Sequence, residues 1–177
     1  MTNDELTLNI LSNSNYAEIS DSLTAFVKAY IEKLIEDVSL YVDSSIILCT
    51  IETVDTYRAG HELSQDITGV PSAYSAIDGD PAVLTHFAEQ YAKLGIDSFD
   101  DLCKEAIVDF LNLHNGLFIV LLSKLNVCEL SLNAPKNTES INLTTDVNGK
   151  ITIIPIKFSF GIVKFLLYEL PGSMDIG

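Results

Sequence analysis

Residues 98–125 carry the longest unbroken helical pattern in the sequence. The second half of this segment, Leu117-Phe118-Ile119-Val120-Leu121-Leu122, is apolar on every side of a helix. A helix of that kind suits a place where other elements surround it, because no side of it favours water. Asp97-Ser98 can cap its N-terminus. The pattern therefore predicts one central buried helix around which the rest of the chain folds.

Two further helices are predicted. Apolar residues at i, i+3, i+4 and i+7 indicate an amphipathic helix from about Ser20 to Tyr41. Pro81 suits a first helical position after the turn at 78–80, and the helix that follows is expected to run to Leu94, with Gly95 as its C-cap.

Strands are predicted where β-branched and alternating residues gather. The alternation of Leu6, Leu8 and Ile10 suggests a short first strand. The other expected strands lie within residues 44–58, 67–77, 127–132, 141–145, 151–157 and 158–170. Asn148-Gly149 between two of these is a strong hairpin signal.

The order of elements indicates the fold class. A helix, strands, two helices and more strands predict an α+β domain, in which a largely antiparallel sheet packs against the central helix and its companion helices. We expect an N-terminal extension at 1–19, a single domain at 20–170 and a C-terminal tail at 171–177.

The charge balance excludes some partners. Lys and Arg number 10 against 25 Asp and Glu, a formal net charge of −15, and Arg58 is the single arginine. Nucleic-acid binding depends on neutralising phosphates with basic side chains, so it is not expected here, nor is docking on an anionic membrane. A partner with a basic rim, or a cation, suits this chain better.

Other features indicate a cytoplasmic location. Cys49, Cys103 and Cys128 are odd in number and widely spaced, which is typical of reduced thiols. Residues 1–5 lack the basic start of a signal peptide. The most apolar stretch, 151–170, contains a proline and two lysines and does not suit a membrane span.

One stripe of the central helix is polar. At 100° per residue, positions 109 and 112 lie within about 40° of position 105. The full stripe is Asp101, Glu105, Asp109, Asn112 and Gly116. Most polar helix stripes are simply solvated. However, like charges at Glu105 and Asp109 mildly destabilise a helix, and Asn112 is a poorer helix former than Lys or Gln. The stripe is therefore either a wet face or a projecting surface with a chemical task.

The residue types define that task. A carboxylate at Asp109 can pair with a partner's cation. The amide of Asn112, one turn on, offers an acceptor and two donors, which can aim a water molecule without acting as a base. Gly116 leaves space for another backbone to approach.

The run from Asp109 to Gly116 resembles the E-x-x-N-x-x-x-G helix of the CheX / CheC / FliY chemotaxis phosphatases. The family's longer pattern is an acidic residue or serine, three residues, Glu, two residues, Asn, twenty-two residues and Pro. Glu105, Asp109, Asn112 and Pro135 stand at these positions. The order of elements is also similar to that of CheX, and the resemblance covers residues 20–170.

This resemblance implies dephosphorylation of the phospho-aspartate of a CheY-like response regulator in chemotaxis or related two-component signalling. By position, Asn112 would orient the attacking water and Asp109 would pair with the regulator's lysine. Glu105, Gly116 and Pro135 would contact the partner. The resemblance also implies no cofactor of the chain's own, since the Mg²⁺ belongs to the regulator, and a homodimer that associates through edge strands.

Two departures from the pattern leave alternatives open. Asp109 replaces Glu, which shortens its reach by roughly 1.5 Å. The leading helix carries no second motif, so a single site is expected. The chain could therefore also be an inactive relative that still binds a regulator, or a small acidic assembly domain whose stripe is only solvated.

Other sites lack a signature. His61, His86 and His114 are scattered and show no zinc spacing. His114 points toward the apolar arc, and we expect a core histidine bonded to the backbone. No nucleotide-binding or serine-hydrolase motif is present.

Overall fold

The computed structural model describes residues 2–144 and 150–170. Within them the chain forms five α-helices: α1 (Asn3–Ser12), α2 (Tyr16–Ile19), α3 (Ala25–Tyr41), α4 (Pro81–Ala92) and α5 (Asp101–Lys124). The strands are β1 (Ile47–Leu48), β2 (Glu52–Val54), β3 (Thr56–Ala59), β4 (Glu62–Thr68), β5 (Ala73–Gly79), β6 (Ser131–Leu132), β7 (Lys136–Thr138), β8 (Ile141–Thr144), β9 (Ile151–Phe158) and β10 (Gly161–Glu169).

Most strands join one antiparallel sheet in the order β1-β9-β10-β5-β4-β6. β2 also pairs with β9, and β7 also pairs with β4. The two central strands of the sheet are β10 and β5, in which Leu166 lies opposite Ala76. β3 and β8 form a separate two-stranded sheet. The predicted α+β class with an antiparallel sheet is confirmed.

The sheet has a different cover on each face. The helices pack on one face over the main core, whose largest fully buried rings are Tyr30, Phe87, Phe110, Phe118 and Phe165. On the other face, the small β3–β8 sheet packs over a second cluster that includes Tyr74, Ile151 and Leu166. The sheet is thus the middle layer, and α5 lies in an outer layer.

The long helix begins and ends close to its predicted limits. Asp100 caps it by accepting a 3.0 Å hydrogen bond from the Cys103 backbone N–H. The prediction that other elements surround its second half on every side is wrong. Phe118 and Leu122 are buried, but Val120 on the outer side is 46% exposed.

Of the described helices, α5 alone has the length and apolar composition of a membrane-crossing helix. Its Phe110 and Phe118 side chains are packed into the core against the sheet and α3 instead.

The N-terminal strand prediction is also wrong, because this segment is helix α1. Thr2 and Glu5 form a reciprocal capping box, and Ile10 and Leu11 turn into the core beside α3. A capping box supplies partners for free N–H groups at a helix start, which favours a helix over a strand.

The polar stretch at 58–66 also contains strand structure, since β4 begins at Glu62. The hairpin predicted at Asn148-Gly149 lies outside the described residues. Among the described residues, the strands before and after it pair elsewhere, β8 with β3 and β9 with β1, β2 and β10.

Candidate functional site

The predicted stripe lies on the outer surface of α5. Asp101, Glu105, Asp109 and Asn112 are exposed, and Gly116 is half-buried. The opposite side of the same helix carries Phe110 and Phe118 in the core. The stripe is therefore held on a rigid element and is accessible to another molecule.

Asp109 is positioned by the neighbouring helix. Tyr91 on α4 donates a 2.7 Å hydrogen bond from its hydroxyl to Asp109 Oδ2, and its ring packs edge-to-face on Phe110 with centroids 5.3 Å apart. Burial, together with this hydrogen bond and the charge of Asp109, raises the pKa of Tyr91 above its usual value. Tyr91 therefore stays a donor at neutral pH. The other carboxylate oxygen, Oδ1, has no hydrogen-bond partner among the described residues and can meet a cation.

A groove of about 640 Å³ adjoins this carboxylate, between the end of α3, the end of α4 and the start of α5. Glu105 and Asp109 lie along it with Tyr91, and Leu40 and Leu102 are among its apolar walls. The two carboxylates thus share one concave surface with apolar walls, which Lys93 also lines.

Asn112 is attached to the sheet beneath it. Its Oδ1 accepts a 2.7 Å hydrogen bond from Nε2 of Gln65 on β4. The same Nε2 donates to the Asn133 carbonyl at 2.9 Å, and Asn115 Nδ2 donates to Gln65 Oε1 at 3.0 Å. Asn112 is therefore an exposed residue whose amide is fixed from inside.

Gln65 and Asn115 are functional candidates that the sequence alone does not predict. The available signal is the alternation Leu63, Gln65, Ile67, which places a polar residue at a core-facing position of a strand. The many polar residues around it resemble a break between strands and obscure that alternation. A polar residue at such a position needs a hydrogen-bond partner, and its partners here lie on α5 and the loop before β7.

Gly116 and Pro135, the other residues predicted to contact a partner, lie near Asn112. A Cβ placed on Gly116 would meet no atom within 4 Å, so the space outside the helix is open there. Pro135 is half-buried in the loop between β6 and β7, two residues after Asn133. Because the Asn133 carbonyl is bonded to Gln65, the structure brings the Pro135 loop and Asn112 together.

His114 joins α5 to α3 beneath the stripe. Its Nδ1 lies 2.7 Å from Asp37 Oδ2, and both side chains are fully buried. Lys33 Nζ lies 3.2 Å from Asp37 Oδ1, outside hydrogen-bond geometry, and acts as a charge partner. The bond of His114 is therefore to a carboxylate and not to the backbone, which corrects the expectation from sequence.

The protonation of His114 follows from its surroundings. Burial lowers the pKa of His114, and Asp37 opposes this only in part. Its Nε2 has no hydrogen-bond partner in the part of the chain that the structure describes, so a proton there would be a buried, unsatisfied donor. The neutral ring, with the proton on Nδ1 toward Asp37, satisfies both observations.

The described residues hold no cluster of three or more His, Cys, Asp or Glu side chains that could bind a metal ion. The stripe presents carboxylates, the Asn112 amide and the open space beside Gly116.

Solved structures identify the fold. A CheC-like superfamily protein from Shewanella sp. PV-4 matches 82% of this chain and 98% of its own, with a TM-score of 0.67 and 11% identity. The chemotaxis protein CheX from Desulfovibrio desulfuricans matches 82% of this chain and 100% of its own, with a TM-score of 0.65 and 13% identity.

A third match is the CheX–CheY–BeF3–Mg²⁺ complex from Borrelia burgdorferi, with a TM-score of 0.58, 12% identity, and coverage of 82% of this chain and 97% of that one. No protein-family model and no curated protein matches the sequence. The chain thus has the fold of the CheC/CheX chemotaxis proteins, and the resemblance predicted from the motif is confirmed at the level of the fold.

Proposed function

We propose that this protein dephosphorylates the phospho-aspartate of a CheY-like response regulator in chemotaxis or related two-component signalling. The observation that carries the proposal is the exposed pair of Asp109 and Asn112, one turn apart on a helix whose other side is core. The shared fold supports it, since one protein with this fold is a CheX in complex with CheY, BeF3 and Mg²⁺.

Asn112 supplies orientation. Its amide enters the regulator's site and holds a water molecule in line with the phosphorus–oxygen bond. The water oxygen bonds to phosphorus as the bond to the aspartyl oxygen breaks, which releases phosphate and restores the carboxylate. The water's protons go to phosphate and solvent, because an amide does not act as a base. Such positioning contributes much of the rate in phosphoryl transfer.

Asp109 supplies the charge contact. Its Oδ1 meets a lysine of the regulator, while Tyr91 holds Oδ2 and keeps the carboxylate turned outward. The net charge of −15 draws a basic partner surface toward the stripe. Mg²⁺ is expected in the regulator.

The other predicted residues complete the docking surface. Glu105 adds a second carboxylate to this surface, Gly116 admits the regulator's backbone, and Pro135 stiffens the loop beside Asn112. We further propose that the protein works in the cytoplasm as a homodimer joined through edge strands of the sheet. Light scattering at micromolar concentration tests the dimer.

A second candidate is a protein that binds a regulator without catalysis. It is favoured by one observation: the shorter Asp109 is already engaged by Tyr91 at 2.7 Å, so its reach toward a lysine is limited on two counts.

The deciding experiment follows phosphate loss from CheY-like regulators phosphorylated with acetyl phosphate. We expect the wild type to shorten the phosphate lifetime and Asn112→Ala to abolish the effect while it keeps its thermal transition. Asn9→Ala, at an exposed asparagine inside helix α1 and away from the stripe, is the matched control. If wild type leaves the phosphate lifetime of every regulator at its spontaneous value, the proposed phosphatase activity is wrong. Binding to the beryllofluoride-activated regulator would then favour the second candidate.

A further inference from the structure

Gln65 is fully buried and points from β4 toward α5. Its amide makes three hydrogen bonds: to Asn112 and Asn115 on α5, and to the Asn133 carbonyl before β7. Three bonds to two separate parts of the fold leave this side chain no freedom to rotate, because any rotation leaves a buried polar atom unpaired.

The direction of these bonds is fixed by the backbone. A main-chain carbonyl only accepts, so the end of Gln65 that faces Asn133 O must be its NH₂ group. The second hydrogen of that NH₂ points at Asn112, so the atom of Asn112 that meets it must be Oδ1. The Asn112 NH₂ group consequently faces away from Gln65, toward solvent.

The rest of the network agrees with this assignment. Gln65 Oε1 takes a hydrogen from Asn115 Nδ2, which leaves Asn115 Oδ1 to accept from Ser75 Oγ at 3.5 Å. Ser75 Oγ in turn lies 2.6 Å from the Tyr30 hydroxyl, which can donate to it. The hydrogen bonds along this buried path therefore have one consistent order of donors and acceptors, which ends at the NH₂ of Asn112.

We propose that Gln65 is the positioning residue for Asn112: it holds the carboxamide in one orientation, with the NH₂ group presented to the docked partner. The catalytic part of this inference rests on the proposed function. The outward N–H donates to one lone pair of the attacking water, which leaves the water's other lone pair for phosphorus. An asparagine without this support rotates freely and presents its oxygen as often as its nitrogen.

The test uses Gln65→Met, which keeps length and volume but removes all three bonds. The matched control is Ser64→Ala. Ser64 is the neighbouring, equally buried residue, and its hydroxyl bonds Glu62 on the opposite face of the strand. Should Gln65→Met fail to fold, Gln65→Leu replaces it, since it also removes all three bonds and buries no charge.

Two measurements are made on each variant. The first is the ¹⁵N order parameter of the Asn112 side-chain NH₂ in the free protein, which does not depend on activity. We expect it near about 0.8 in wild type and Ser64→Ala and below about 0.6 in Gln65→Met. The second is turnover of a CheY-like phospho-regulator, where Gln65→Met should lower kcat by about 10- to 100-fold and change KM by less than about threefold.

The outcomes separate the two proposals. An unchanged Asn112 order parameter in Gln65→Met overturns the positioning role, whatever the enzyme assay shows. A lowered order parameter with kcat equal to that of Ser64→Ala overturns its catalytic consequence. If wild type itself does not accelerate phosphate loss, the proposed function fails, and the order parameter alone still decides whether Gln65 orients Asn112.

Discussion

Replacing Gly116 by alanine tests whether this part of α5 is shaped by the fold or by a partner. A glycine inside a helix costs about 1 kcal/mol relative to alanine. Because an added Cβ at this position meets no atom within 4 Å, no clash is subtracted from that gain. We therefore expect Gly116→Ala to raise the free energy of unfolding by about 1 kcal/mol, which for a chain of this size raises Tm by about 2–4 °C.

The same methyl group has the opposite effect on docking if a regulator backbone occupies the open space beside Gly116. Crowding a packed contact by one methyl costs about 1–3 kcal/mol. Binding to a beryllofluoride-activated CheY-like regulator should then weaken by about 5- to 150-fold. Calorimetry measures both quantities on one preparation, by scanning for Tm and by titration for Kd.

Gly60→Ala is the matched control, since a Cβ there also meets nothing within 4 Å but the residue lies in the β3–β4 connection, off the stripe. It should leave Kd unchanged. If Gly116→Ala is no more stable than wild type, the expected gain in the free energy of unfolding is refuted. If it is more stable but binds the regulator equally well, Gly116 is not part of the docking surface.

Three other perturbations have defined outcomes. Asp109→Glu lengthens the reach of the carboxylate by roughly 1.5 Å. We expect it to tighten regulator binding severalfold, as measured by titration calorimetry. Weaker binding would show that the contact with Tyr91 matters more than the length of the side chain. Because burial lowers the pKa of His114 below its ordinary value of 6.5, the unfolded chain takes up this proton first. Stability from His114 is thus complete above about pH 6.5 and falls, by at most about 1.4 kcal/mol per pH unit, as the pH drops toward the folded pKa. Urea unfolding of wild type and His114→Asn between about pH 5 and 8 should show this slope only in wild type, and equal slopes would contradict the assignment. Glu62 is the reverse case: burial raises its pKa, but hydrogen bonds from Tyr74, Ser64 and Thr138 and the charge of Lys136 together lower it. Its contribution is present above the ordinary glutamate pKa of 4.5 and is lost as the pH falls through the lower folded value. Glu62→Gln should therefore cost about 1–3 kcal/mol at neutral pH and little in acid, and a loss that does not depend on pH would refute this.

Much of the fold could be predicted because its signals are local. The 3.6-residue pattern of α3 and α5, and Pro81 at the start of α4, place three helices within a few residues. The polar stripe of α5 follows from the same period, which is why Asp109 and Asn112 can be singled out from sequence alone.

The wrong predictions concern segments whose structure depends on residues that are distant in the sequence. β4 carries Glu62, Ser64 and Gln65 in its buried positions, a composition typical of a loop until their partners on β5, β7 and α5 are known. The side of α5 that carries Val120 is apolar but faces outward, because sequence does not reveal which layer a helix occupies. The support of Asn112 by Gln65 spans 47 positions and has no local pattern at all.

Few side chains of the α5 stripe are hydrogen-bonded to the interior, which affects how this surface can change during evolution. Exchanging Glu105 disturbs no hydrogen bond among the described residues, and exchanging Asp109 disturbs the one from Tyr91. Partner preference can drift at those positions while the scaffold keeps its shape, in keeping with folds that persist at 11–13% identity. Asn112 is different, since it is bonded into the interior, and a lineage that loses it has to rebuild the polar path beneath it.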